Sequence, residues 1–158
     1  MKKSQIFKLI LSLLLPLGVG STAGIFTAGA IPDWYSTLNR PVFTPPNWLF
    51  GPVWTALYLV MGVSLFLVWT AQKSSARNRA IFIFSVHLFL NFGWSFLFFY
   101  FNSIGLALIE IVLLLISIIL MLIWFYKVKP IAAYINVPYL LWVTFATILN
   151  AAYFILNS

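Results

Sequence analysis

The sequence contains no cysteine, which excludes disulfides, thiolate metal ligands and cysteine nucleophiles. It has a single histidine, His87, and only two carboxylates, Asp33 and Glu110. One chain therefore lacks the groups for a multi-ligand metal site or a paired-carboxylate mechanism, and no metal is expected. Charge of either sign is scarce: 7% of residues are charged, against roughly 25% in ordinary globular domains. Apolar residues fill the space, at 63% of the 158 positions. A bilayer can solvate that much apolar surface; water cannot. The length fits one domain, residues 1–158. The net charge of +7 invites a nucleic-acid reading. The basic residues instead lie in short clusters between apolar runs, a membrane-topology pattern, so the expected partner is lipid and not nucleic acid.

A spanning helix needs about 20 mostly apolar residues. Charges and turn residues divide the chain into five runs of that kind, near 9–31, 47–71, 80–101, 104–126 and 133–156. The turn Asn102-Ser103-Ile104-Gly105 separates the third run from the fourth. No run alternates apolar and polar residues as barrel strands do. The expectation is an all-α membrane protein, a five-helix transmembrane bundle. Lys2, Lys3, Lys8, Lys73, Arg77, Arg79, Lys127 and Lys129 fall on one side of that topology and only Arg40 on the other. Basic residues resist translocation, so the N-terminus is expected in the cytoplasm and the C-terminus outside. Lys2, Lys3, the first apolar run and Ala28-Gly29-Ala30 also resemble a secretory signal with a cleavage site. The run exceeds the usual signal core of about 7–15 residues, which favours retention as the first helix.

Residues 32–52 hold five of the eight prolines, Pro32, Pro41, Pro45, Pro46 and Pro52. Proline fixes its own φ and restricts the residue before it. A stiffened external loop over 32–46 is expected to feed the second helix. Its aromatics Trp34, Tyr35, Phe43, Trp48 and Phe50 fit two roles: an interfacial belt, or a lid over a cavity between helices.

Inside the spans, helical spacing puts His87, Asn91, Trp94 and Phe98 on one face of the third helix. Tyr139, Trp142, Ala146, Asn150 and Tyr153 share a face of the fifth, and Trp54, Tyr58, Met61 and Leu65 a stripe of the second. Packing accounts for each stripe singly, and the two asparagines can bond across helices. His87 alone reads as a satisfied interior histidine. Glu110 could pair with Arg40 or accept a loop amide. Gly20-x-x-x-Gly24 permits close helix approach, either within the chain or to a second copy. Convergence is what suggests function: Trp54, Trp94 and Trp142 all point inward from the external halves of three helices. Flat aromatic walls with a few amides suit a flat, mostly apolar ligand.

The run Trp34-Tyr35-x-x-Leu38-x-x-Pro41-x-Phe43-x-Pro45-Pro46-Asn47-Trp48, continuing to Gly51-Pro52-Val53-Trp54, resembles the translocator protein family (TspO/MBR, tryptophan-rich sensory proteins). Leu90-Asn91-x-x-Trp94 and Phe98-Phe99 resemble its third-helix motif. Pro138-Tyr139-x-x-Trp142-x-x-Phe145-Ala146-Thr147-x-Leu149-Asn150 resembles its fifth. The resemblance implies a membrane receptor or sensory protein, often a homodimer. Its implied ligands are porphyrins, protoporphyrin IX or haem among them, and isoquinoline or benzodiazepine-type compounds. No cofactor is required. The implied ligand-binding residues are Tyr35, Trp54, Asn91, Trp94, Trp142, Ala146 and Asn150, with Tyr58 and Pro41 on the pocket edge. Light-dependent porphyrin degradation is a second implied activity, with Tyr35, Trp54 and Trp142 as its matching aromatics and no conventional catalytic constellation. Tetrapyrrole transport is a third, though no inverted repeat or broken helix supports it. The family's proposed sterol motif is incomplete here: Leu149 and Tyr153 are present, but no Lys or Arg follows. The short chain and basic N-terminus suggest a bacterial inner-membrane member.

Overall fold

The computed structural model describes residues 3–158. Lys2, counted above among the basic residues, lies outside the described residues. Helix α1, Lys3–Ala30, runs without a break into a π-helical turn, Ile31–Tyr35. Helix α2 covers Asn47–Thr70. Helix α3, Ser75–Ser95, also ends in a π turn, Phe96–Tyr100. Helix α4 covers Ile104–Val128. A short helix α5, Pro130–Tyr134, precedes α6, Val137–Asn157. Together these make five segments long and apolar enough to cross a membrane. No strand occurs among the described residues.

The boundaries of α2 and α4 fall where the apolar runs predict. The fifth run is divided, with α6 starting at Val137 and not near 133, and three other boundaries differ, each for a physical reason. Helix α1 starts at Lys3 and not near 9, because charge ends the hydrocarbon span but not the helix. Lys8 lies with its ammonium 5.6 Å from the Trp69 ring, its stem running along the bundle. Helix α3 starts at Ser75, because Ser74 caps it: the Arg77 N–H donates to Ser74 Oγ at 3.1 Å. The first loop is shorter than 32–46. Pro32 has no N–H for the carbonyl of Ala28, and the chain absorbs the gap as a π turn instead of leaving the helix. Ser36 and Thr37 hydroxyls then donate to the carbonyls of Pro32, Asp33 and Trp34. Irregular chain begins only after Thr37.

The helices close tightly at one end. Gly62 of α2 lies against the α1 backbone, and a Cβ there would sit 2.8 Å from both Leu13 Cα and the Ser12 carbonyl oxygen. Pro16 removes the N–H that would normally bond that carbonyl, which leaves it facing Gly62. Nearby, Phe84 stacks on Phe125 at 5.9 Å, and Met61, Val68, Ile118 and Met121 are fully buried. The turn after α3 forms where Asn102-Ser103 predicts it. Asn102 adopts a left-handed conformation, φ 53°, which asparagine tolerates better than most residues.

Candidate functional site

Toward the opposite end, between the residues that flank the 38–46 segment and the helices α3 and α6, the bundle holds a cavity of about 480 Å³. That lies within the range of roughly 300–1,000 Å³ typical of small-molecule sites. Hereafter this is the cap end. Trp54 enters the cavity from α2, Trp94 from α3 and Trp142 from α6. Trp54 and Trp94 lie in the cap-side halves of their helices as expected. Trp142 instead stands five residues into α6, in the half away from the Asn157 end that meets the cap. Each indole is half-buried. Tyr35, Tyr58, Ala146 and Asn150 also line the space. Seven of the nine residues singled out from the sequence thus meet at one cavity.

The other two stand behind its wall. Asn91 is buried and accepts from the Tyr58 hydroxyl at 2.6 Å, so it holds a lining residue without lining the space itself. Pro41 is buried in the cap, where its carbonyl accepts from the Thr44 N–H and hydroxyl.

The walls are tied by hydrogen bonds between distant helices. Trp94 Nε1–H donates to Asn150 Oδ1 at 3.0 Å, and Asn150 Nδ2 donates to the Ile104 carbonyl at 3.1 Å. One asparagine therefore joins α3, α4 and α6. The Tyr35 and Tyr153 hydroxyls share a bond of 2.7 Å, fixing the end of α1 to α6. Both π turns face the cavity. Ile31 and Tyr35 come from the first, Phe98 and Phe99 from the second, and Phe98 stacks on Trp94 at 5.4 Å. A π turn carries one more residue than an α turn, which rotates the aromatics inward at the point where the helix would otherwise end. Proline at 32 was a signal for the first π turn; the second has no comparable signal in sequence.

The cap is stitched to the end of α6. The Asn39 N–H donates to Asn157 Oδ1 at 2.8 Å, and Asn157 Nδ2 donates back to the Asn39 carbonyl at 3.1 Å. Spacing alone could not pair residues 118 positions apart. The Arg40 guanidinium lies 5.1 Å from the Tyr35 ring centroid. Three of the loop aromatics line the cavity: Tyr35, which is buried, Phe50, which contacts Trp142 at 6.0 Å, and Trp48, which is 71% exposed.

The expectation for Glu110 is corrected, and the glycine stripe takes the within-chain reading of its two. Glu110 does not meet Arg40 or a loop amide. It is buried on α4 against Gly93, 3.7 Å from where a Cβ would stand. Neither of its oxygens has a hydrogen-bond partner. It stands six residues into α4, about 9 Å along the axis, too deep for the cap to reach. The Gly20/Gly24 stripe faces inward: Gly20 lies in contact with the Tyr58 ring, and both glycines line the cavity.

The cavity is open on one side. Its exposed lining residues, including Ser21, Gly24, Ala28, Gly51 and Thr55, all belong to α1 or the first turns of α2. None of the lining residues from α3 or α6 is exposed. A Cβ added at Gly24 or Gly51 would meet nothing within 4 Å. The helices that close on each other at Gly62 therefore leave a slot between them nearer the cap. No cluster of metal-ligating side chains exists among the described residues.

Residues 12–156 match the model of the TspO/MBR family. A tryptophan-rich protein TspO from Archaeoglobus fulgidus is 40% identical over 98% of this chain and 99% of its own. The human translocator protein is 35% identical over 74% of this chain and 70% of its own. A tryptophan-rich sensory protein from Cereibacter sphaeroides is 31% identical over 90% of this chain and 87% of its own.

Proposed function

The chain belongs to the TspO/MBR family of integral membrane proteins, and on that footing we propose that it is a receptor or sensor that binds flat, mostly apolar ligands of the porphyrin or isoquinoline type in the cap-end cavity. One observation carries the reading: three indoles from three different helices wall a single cavity, and the N–H of one of them, Trp94, is already engaged by Asn150. Aromatic faces reward a flat ring system with stacking worth about 0.5–1.5 kcal/mol per pair beyond burial. With no charged side chain lining the cavity, a hydrophilic ion gains little there.

Titration of the protein with protoporphyrin IX, followed by tryptophan fluorescence, tests this. Quenching should saturate. Trp142→Phe should weaken binding through lost stacking, and Asn91→Ala should weaken it by releasing Tyr58. Unchanged affinity in both variants removes the assignment. The reading also carries a cytoplasmic N-terminus in a bacterial inner membrane, which a reporter fused after Ser158 tests by its activity outside the cytoplasm. A homodimer is expected as well, and crosslinking in lipid discs should yield a species of twice the chain mass.

A further inference from the structure

Behind the Tyr58 wall runs a chain of four buried groups. Tyr58 OH lies 2.6 Å from Asn91 Oδ1, Asn91 Nδ2 lies 3.0 Å from Tyr139 OH, and Tyr139 OH lies 2.9 Å from His87 Nε2. His87 Nδ1 lies 3.2 Å from the Phe84 carbonyl oxygen. His87, Asn91 and Tyr139 are at most 2% exposed and lie outside the cavity lining, so water cannot substitute for a missing partner among them, and Tyr58 is the one member that meets the cavity.

With the His87 imidazole neutral, the donor and acceptor inventory leaves one arrangement of protons. A carbonyl only accepts, so His87 Nδ1 carries the hydrogen. In the neutral ring Nε2 then accepts, and the one proton of Tyr139 goes to it. The Tyr139 oxygen is left to accept, so Asn91 turns its NH₂ toward it. That leaves the Asn91 carbonyl for the proton of Tyr58. Every proton points away from the cavity, and the Phe84 carbonyl is the end that sets the direction.

We propose that His87, Asn91 and Tyr139 are positioning residues that fix the hydrogen-bonding sense of the cavity wall, so that Tyr58 offers the ligand an acceptor oxygen and never a donor. The proposal rests on the cavity being the binding site. It assigns a ligand chemistry to that wall: a flat aromatic with an N–H or O–H at the Tyr58 side is preferred over one with a bare acceptor. His87, which touches neither cavity nor ligand, determines this preference. Without its ring nitrogen the Tyr139 proton has no sink. The amide of Asn91 then turns over, each proton reverses, and Tyr58 donates into the cavity.

Three flat tricyclic probes of similar shape test this: carbazole, which donates through N–H; acridine, which accepts through its ring nitrogen; and anthracene, which does neither. Binding is measured under mildly alkaline conditions, where acridine is neutral. Carbazole should bind the native protein about fivefold to tenfold more tightly than anthracene, the scale of one net hydrogen bond, and acridine should show no such gain. Tyr58→Phe should abolish the carbazole advantage. His87→Phe should leave anthracene affinity within about twofold, shift the advantage to acridine, and lose that reversal in His87→Gln, whose amide oxygen accepts from Tyr139 again. A merely structural His87 would weaken all three probes together, and that result overturns the proposal. Should His87→Phe not fold, a carbazole advantage surviving in Tyr58→Phe overturns it equally. Failure of all three probes to bind the native protein instead removes the binding-site reading itself.

Discussion

Helices α1 and α2 meet in two different ways along their length. At Gly62 the backbones approach so closely that no side chain fits. Between Gly24 and Gly51 the same helices stand apart with open space beside each glycine. Small residues thus perform opposite tasks in one pair of helices. At Gly62 the missing side chain lets surfaces join, and at Gly24 and Gly51 it keeps a slot clear. The joined end holds stacked and interlocked apolar side chains. Around the open end, hydrogen bonds such as Tyr35 with Tyr153 and Trp94 with Asn150 hold the walls up where packing against a neighbour is lost.

Substitutions sharpen this contrast, and the largest effect is expected at the joined end. Gly62→Leu should destabilise the fold by about 3 kcal/mol, because the clash is with backbone that cannot rotate away; thermal unfolding in detergent measures it. Tyr139→Phe should cost about 2 kcal/mol, since it leaves His87 and Asn91 each short of a buried partner, and denaturant unfolding would show it. Asn157→Ala should cost about 1 kcal/mol, concentrated in the cap; faster amide exchange over residues 38–46, with little change in α2, is the expected pattern. Gly24→Leu should have the smallest effect on stability, under about 0.5 kcal/mol, while lowering protoporphyrin affinity about tenfold by filling the slot. Equal destabilisation by Gly62→Leu and Gly24→Leu would erase the distinction between the two ends.

Much of this architecture is legible in sequence. Apolar run length sets the number of spans, and helical spacing places Trp54, Trp94 and Trp142 on inward faces, because both follow from local periodicity. The hidden parts are non-local. Asn39 with Asn157, Tyr35 with Tyr153, and Trp94 with Asn150 are contacts that no spacing rule connects. The π turn at Phe96–Tyr100 has no sequence marker, since its α alternative would suit the same residues. Glu110 invited an ionic partner, and its depth in α4 denies it one. Asn91 was legible as an inward amide but not as one placed behind a tyrosine.

The slot between α1 and α2 lies along the flank of a spanning bundle and not at its tip. A greasy molecule can therefore pass in sideways from the hydrocarbon, where partitioning has already enriched it by about 0.8 kcal/mol for every buried methylene. Affinities expressed against aqueous concentration would then vary with the amount of lipid or detergent in the assay, and two laboratories with identical protein would disagree unless they quoted mole fraction in the membrane.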